Sequence, residues 1–356
     1  MNKTFRKVIF LCVLFAFCVT GCKGQTGNDG KENELTRYNS NFLDAFDTQT
    51  TVVGYAKTEE EFLQKTELLK EKLMEYHRLY DIYHTYEGIN NIKTINDNAG
   101  SEPVLVDYRI IDLLKLSKEM YEKTQGKVNV AMGSVLSIWH EYRDEGRNNP
   151  EQAKLPEMED LIQASSYMGI DNLVIDEEAS TVFLKDANSS LDVGGIGKGY
   201  AVQKTAEYAR EIGLTDALIS VGGNVCALGE KQDGSNWKIG IENPDRDSSQ
   251  AYIRKVNVKD ACVVTSGDYQ RYYVVDGVKY CHIIDPDTLM PADYYMSVTI
   301  IAKDSGIADA LSTAVYNMPL EVGMDLINST DNAEAMWVRK DGTVVYSDGF
   351  EEYLAE

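Results

Sequence analysis

The chain has 356 residues, and 57 acidic against 35 basic side chains leave it a formal net charge of −22. That balance argues against a nucleic-acid partner and against an electrostatic grip on anionic lipid. With 43% hydrophobic residues it can bury a large core, in one domain or two closely packed ones.

The first residues read as an address. Lys3, Arg6 and Lys7 precede an apolar run, Val8 to Val19, that is too short and wrongly flanked for a membrane span. Val19-Thr-Gly-Cys22 then sets small residues before a cysteine, the pattern of a bacterial lipoprotein signal. Residues 1–21 are expected to be removed and Cys22 to be acylated, anchoring the protein to the cell membrane on its outer side. Residues 22–40 are rich in Gly, Asn, Lys, Glu and Gln and read as a flexible tether. The folded domain is expected over 41–356. Its cysteines, Cys226, Cys262 and Cys281, are odd in number and lack metal-site spacing. They are expected to be small core residues, not a disulfide framework.

In chain order, Phe42 to Tyr55 ends in β-branched residues and predicts a strand. Glu59 to Tyr83 carries a helical apolar stripe, Tyr86 to Gly100 reads as a loop, and Asp107 to Lys123 is again helical. Val128 to Met132 predicts a strand, Gly133 to Tyr142 a short helix, and Arg143 to Pro156 a surface excursion. Leu173–Ile175 and Val182–Leu184 make a hairpin before a glycine-rich run, then a helix over Lys198 to Ile212 that Gly213 closes. Strands follow at 217–221, 237–241, 252–258, 262–265, 272–275, 279–284 and 296–302, with an Asp276-Gly277 turn in the fifth connection. Helices at 306–316 and 320–327 and a hairpin at Asp341-Gly342 close the chain. Strands in meanders with helices between blocks give an α+β class, mostly antiparallel.

The run Asp192-Val-Gly-Gly-Ile-Gly-Lys198-Gly is the densest chemical signal. So bare a backbone can approach a phosphate closely, and the helix start adds N–H groups and a positive dipole end. Asp192 adds a carboxylate for a ribose, a base or a metal. The spacing is neither a Walker A loop nor a dinucleotide fingerprint. Ser220-Val-Gly-Gly-Asn224 is a second, weaker glycine cluster. Thr265-Ser266-Gly-Asp268-Tyr and His282-Ile283-Ile-Asp285-Pro flank the Asp276-Gly277 hairpin, whose pairing would bring them together. His282 beside a carboxylate can serve as base, acid or donor. His77, His84 and His140 read as surface or packing residues. Asp309 and Thr313, four apart in a helix, point two oxygens from one face, a donor set suited to Mg2+.

In this order the motifs resemble the ApbE family of FAD:protein FMN transferases, from about Phe42 to the C-terminus. The resemblance implies a two-subdomain α+β fold with the active site between the subdomains, Mg2+ as cofactor and FAD as substrate. It implies transfer of FMN to a Thr or Ser of an acceptor protein, releasing AMP. By motif position Asp192 and Lys198 would contact FAD, and the Gly195 carbonyl would join Asp309 and Thr313 on the metal. His282 would be essential to the reaction, with Asp268 and Asp285 as further candidates for the base. Thr265, Ser266 and Ile283 would lie along the cofactor. Lys127-Val128-Asn129 matches a flavin-contacting strand in which Asp is commoner than Asn, and Phe46-Asp47-Thr48 stands where the family has Met-Gly-Thr. The acceptor is expected to be an exported or membrane redox protein. Hydrolysis of FAD to FMN and AMP, or flavin binding without catalysis, are the competing expectations.

Overall fold

Along Thr50–Ala56 buried and half-buried residues alternate strictly, and this two-residue period recurs through one large sheet. The protein is seen in a computed structural model that describes residues 35–356. The expected signal sequence, Cys22 and the tether to residue 34 lie outside the described residues.

β1 (Thr36–Phe42) and β2 (Thr50–Ala56) pair as a hairpin. α1 (Glu59–Tyr80) begins where the Thr58 hydroxyl accepts the Glu61 N–H at 3.1 Å, and buries Phe62, Leu69, Leu73, Tyr76 and Tyr80 on one stripe. Next come α2 (Ile92–Asp97), β3 (Val104–Leu105), α3 (Tyr108–Lys123), α4 (Gly133–Asn148), α5 (Met158–Ser165), β4 (Leu173–Asp176) and β5 (Thr181–Leu184). α6 (Gly197–Glu211) leads into β6 (Ala217–Val221), β7 (Asn224–Leu228), β8 (Trp237–Glu242), β9 (Tyr252–Val258) and β10 (Ala261–Gly267). β11 (Tyr272–Val275), β12 (Val278–Cys281), β13 (Tyr295–Ala302), α7 (Ser305–Tyr316), α8 (Leu320–Asn328), β14 (Ala333–Arg339) and β15 (Val344–Tyr346) follow.

The main sheet runs β1-β2-β6-β7-β10-β13-β14-β15, antiparallel at every step, as the α+β expectation requires. Alternate residues of its strands feed two cores. Val52, Ile219, Val264 and Ile300 pack with α1, α6 and α7, while Leu218, Val263 and Ile301 pack with β8, β9 and Phe350. α7 is buried nearly all round, capped at its start by Asp304, which accepts the Ile307 N–H at 2.9 Å. A third cluster joins α4 and α5 to β11 through Trp139, Leu161 and Tyr273. Residues 35–356 form a single compact unit.

Several expectations are corrected. The tether ends sooner, because the polar, mostly exposed residues of β1 still form a ladder with β2 at the sheet edge. The strand expected over 42–55 is broken at residues 43–49, where Phe46 and Asp47 take positive φ of 54° and 51°. The loop at 86–100 holds the short α2. Val128 to Met132 is not a strand: Asn129 Oδ1 accepts the Ala131 N–H at 2.9 Å and bends the segment, leaving one bridge from Met132 to Ser190. α4 continues to Asn148, since the polar residues read as an excursion are its solvent face.

The cysteine expectation fails for a topological reason. Cys226 on β7 stands directly opposite Cys262 on β10, with Cα atoms 4.1 Å apart, and the two are joined as a disulfide. Cys281 is free and buried. A tryptic digest without reductant is expected to recover peptide 211–231 joined to peptide 260–271 by mass spectrometry, and reductant is expected to separate them. Recovery of both as free thiols from fully folded protein would contradict the pairing.

Candidate active site

The glycine-rich run first solves a packing problem. The Asp192 N–H donates to the Val130 carbonyl at 2.8 Å, and Asp192 Oδ1 accepts the Gly194 N–H at 2.8 Å, which turns the chain into α6. A Cβ on Gly199 would stand 2.3 Å from the Ser305 carbonyl oxygen and 2.4 Å from Asp309 Cβ, so only glycine lets α6 reach α7. At that crossing the Asp309 carboxylate accepts the Gly199 N–H at 2.7 Å. The expectation of first-turn amides free for a phosphate is therefore corrected at Gly199: the protein's own carboxylate takes that amide.

Asp309 is 6% exposed. Burial raises its pKa, while Lys198, the Gly199 amide and the Asn224 side chain act to lower it. Gly195 lies against the same helix: a Cβ there would meet Thr313 Cγ2 at 3.4 Å and Oγ1 at 3.5 Å. Gly195 thus neighbours Thr313, which stands one turn along α7 from Asp309. Lys198 Nζ donates to the Gly222 carbonyl at 3.1 Å, and burial lowers its pKa against the opposing pull of Asp309. Gly222 and Gly223, at φ of 50° and 96°, make the tight turn between β6 and β7 that presents Asn224 to Asp309.

His282 follows β12 directly. Its main-chain N–H donates to the Arg271 carbonyl at 3.1 Å, and Nδ1 lies 3.1 Å from the same oxygen. A carbonyl can only accept, so Nδ1 carries the proton and Nε2 keeps its lone pair. Burial, with the charges of Arg271, Arg143 and Lys198, pushes the ring's pKa down to about 3. The ring is neutral across the physiological range.

The other expected residues are held by internal partners. Asp268 pairs with Lys340 at 2.7 Å, and Asp285 with Lys127 at 2.7 Å. Lys127 also reaches Asp287 at 2.8 Å; Val128 is core, and the Asn129 amide donates to the Met168 carbonyl at 2.9 Å. These three residues brace the site wall through their side chains. Thr265 Oγ1 bonds Thr299 Oγ1, and Ser266 Oγ bonds Ser312 Oγ, both at 2.8 Å, while Ile283 is buried. Phe46 donates its N–H to His77 Nδ1 at 3.3 Å.

Sequence reading missed three groups. His140 is no mere packing residue: its Nδ1 lies 3.1 Å from the Tyr83 hydroxyl, and its Nε2 3.7 Å from Asp192 Oδ2. Arg143 sits one turn further along α4, and with Arg271 its charge bears on both His140 and His282. The three-residue spacing of His140 and Arg143 was the available signal, but its partners lie 52 or more positions away.

An antiparallel sheet flanked by helices, with a bare glycine loop meeting a buried carboxylate and lysine at the α6–α7 crossing, defines an α+β protein with one polar site between packed elements. A family description, "ApbE family", matches residues 46–337, and the chain belongs to that family. It is 29% identical over 278 residues to the FAD:protein FMN transferase of Klebsiella pneumoniae (strain 342), covering 76% of this chain and 84% of that protein. It is 33% identical over 272 residues to the FAD:protein FMN transferase of Treponema pallidum (strain Nichols), covering 72% and 73%. The fold matches the crystal structure of the ApbE protein of Thermotoga maritima with a TM-score of 0.79 at 30% identity, over 90% of this chain and all of that one. The flavin transferase ApbE from Vibrio cholerae matches with a TM-score of 0.75 at 25% identity, with the same coverage.

Gly199→Ala is expected to force α6 off α7 and cost about 1–3 kcal/mol or more, read as a lower thermal midpoint. An unchanged midpoint would show that the crossing is loose. His282 is expected to show no titration between pH 5 and 8 by NMR in the free protein. The unfolded ring protonates near 6.5 while the folded ring stays neutral to about 3, so this group withdraws stability as pH falls below 6.5. A ring titrating near 6.5 would contradict the burial described.

Proposed function

We propose that this protein is an FAD:protein FMN transferase that uses Mg2+ to move the FMN half of FAD onto a Thr or Ser hydroxyl of an acceptor protein, releasing AMP. The observation that carries the reading is the meeting of Gly195, Asp309 and Thr313 beside Lys198 within a fold shared with named flavin transferases. Among the described residues no group of three or more His, Cys, Asp and Glu can hold a metal. The donor set is instead one carboxylate, one hydroxyl and one carbonyl. All are hard oxygen ligands, and Asp309 is a buried carboxylate whose charge is only partly offset; these features fit Mg2+, which completes its shell with water and phosphate oxygens. When bound, Mg2+ would supply positive charge to the phosphate oxygens as the pyrophosphate is cleaved.

The chain's own residues do the rest. Lys198 adds positive charge beside Asp309. The Arg271 carbonyl fixes the His282 tautomer so that Nε2 can accept the proton of the incoming hydroxyl. The low proton affinity of the free ring comes partly from Arg271, Arg143 and Lys198, so an anionic dinucleotide that neutralises them would raise it. Substrate binding would thereby ready the base.

The Val19-Thr-Gly-Cys22 pattern supports a lipid anchor at Cys22 with the domain outside the cytoplasm, which suits an exported or membrane redox protein as acceptor. Among the described residues no helix is long and apolar enough to cross a membrane.

The test is incubation with FAD, Mg2+ and candidate acceptor proteins, with mass spectrometry for an added FMN on Thr or Ser and chromatography for AMP. Asp309→Ala is expected to abolish both signals, and His282→Ala to slow transfer roughly 100-fold or more. Free FMN and AMP with no acceptor modified would replace transfer by hydrolysis. Transfer by His282→Ala at full speed would remove His282 as the base.

A further inference from the structure

We infer that His77 is a positioning residue for Lys198, acting through the strained turn at residues 43–49; this rests on the transferase reading above, in which Lys198 adds charge beside Asp309. In that turn between β1 and β2, Phe46 and Asp47 are consecutive non-glycine residues in the left-handed region, at φ of 54° and 51°. A Cβ makes that region costly, and a side chain as bulky as phenylalanine is rarely found there. Such a conformation persists where its surroundings over-determine it, and it gathers at ligand and catalytic sites. On the α1 side the Phe46 N–H donates to His77 Nδ1 at 3.3 Å, and the two rings meet edge-on with centroids 5.6 Å apart. On the β6–β7 side the Gln49 carbonyl accepts the Gly222 N–H at 3.1 Å. Thr48 lies so close to that glycine that a Cβ on Gly222 would stand 2.4 Å from Thr48 Oγ1.

The other side of Gly222 is the site itself. Its carbonyl accepts from Lys198 Nζ at 3.1 Å, the one hydrogen bond of that ammonium among the described residues. A continuous path therefore runs from the imidazole through one turn and one glycine to the lysine, with a direct contact at each join. The turn has a second polar tie to α1, the ion pair of Asp44 with Lys70 at 2.6 Å, but both partners are open to water. Solvent screens such a pair, so His77 is the tie that sets the turn. An amide donor needs a lone pair on Nδ1, which puts the His77 proton on Nε2. Without that acceptor the Phe46 amide loses its partner in a backbone already strained. The turn would relax toward ordinary φ, Thr48 and Gln49 would shift, and the Gly222 carbonyl that aims Lys198 would shift with them.

The experiment titrates FAD into the full-length protein with Mg2+ by calorimetry. It compares wild type, Lys198→Met, His77→Phe, which keeps a ring without an acceptor, and His77→Asn, whose Oδ1 takes the place of Nδ1. His77→Phe is expected to weaken FAD about tenfold, and His77→Asn to restore most of that loss. In a Lys198→Met background, His77→Phe is expected to cost nothing further, because its effect runs through the lysine. Reductive methylation followed by mass spectrometry is expected to label Lys198 faster in His77→Phe than in wild type or His77→Asn. Unchanged FAD affinity and labelling in His77→Phe overturn the proposal, as do losses that simply add in the double variant, the mark of a structural role. Should His77→Phe fold poorly, long-range 1H–15N NMR of the wild type decides: a bare Nδ1 on His77 is expected, and a protonated one overturns the proposal. Wild type that binds no FAD removes the transferase reading, and the labelling of Lys198 then still tests the path from His77.

Discussion

The site depends on one close approach, that of α6 to α7 at Gly199. There the Asp309 carboxylate accepts the first-turn amide of the helix it meets and faces Lys198. A buried carboxylate is costly unless hydrogen-bonded and paired, and here the Gly199 amide at a helix N-terminus and the charge of Lys198 share that work. The same contact that holds the two helices together therefore stores an incompletely neutralised negative charge in the pocket. Thr313, one turn further along α7, lies against Gly195 of the glycine-rich run. Packing and chemistry rest on the same atoms.

The antiparallel sheet supplies the rest of the frame. Its order puts β7 beside β10 and β10 beside β13, so Asn224, Thr265 and Ser266 are carried on strands locked to one another. The Cys226–Cys262 disulfide ties β7 to β10 two positions before Asn224 pairs with Val264. Side-chain bonds from Thr265 to Thr299 and from Ser266 to Ser312 then join that strand pair to β13 and α7. Such a rigid floor suits chemistry in which positioning and charge, more than covalent participation, set the rate.

Charge is distributed with equal economy. The chain as a whole is acidic, yet burial, with the positive charges of Arg271, Arg143 and Lys198, depresses the proton affinity of His282. Elsewhere in the site the carboxylates are matched to lysines, Asp285 to Lys127 and Asp268 to Lys340. These matched pairs brace the loops. Burial is the main reason the imidazole is neutral, and a backbone carbonyl holds it in one tautomer.

Much of this was legible in the residues alone. Period-two apolar runs and Gly-containing turns, among them Asp276-Gly277 with φ of 49° and 81°, marked the antiparallel sheets, and caps and apolar stripes marked the long helices. The motif around Asp192 and Lys198, the i,i+4 pair of Asp309 and Thr313, and His282 were visible because each is local in the chain. Polar β1 and the solvent face of α4 misled, because low hydrophobicity was read as absence of structure. The Cys226–Cys262 bond, the capture of Gly199 N–H by Asp309, and the meeting of His140, Arg143 and Arg271 with the motif residues were invisible for another reason. Sequence determines local conformation and which faces are apolar; strand order and helix crossings decide which distant side chains share a low-dielectric space. In that space a histidine is held neutral and in one tautomer, which only the tertiary structure decided.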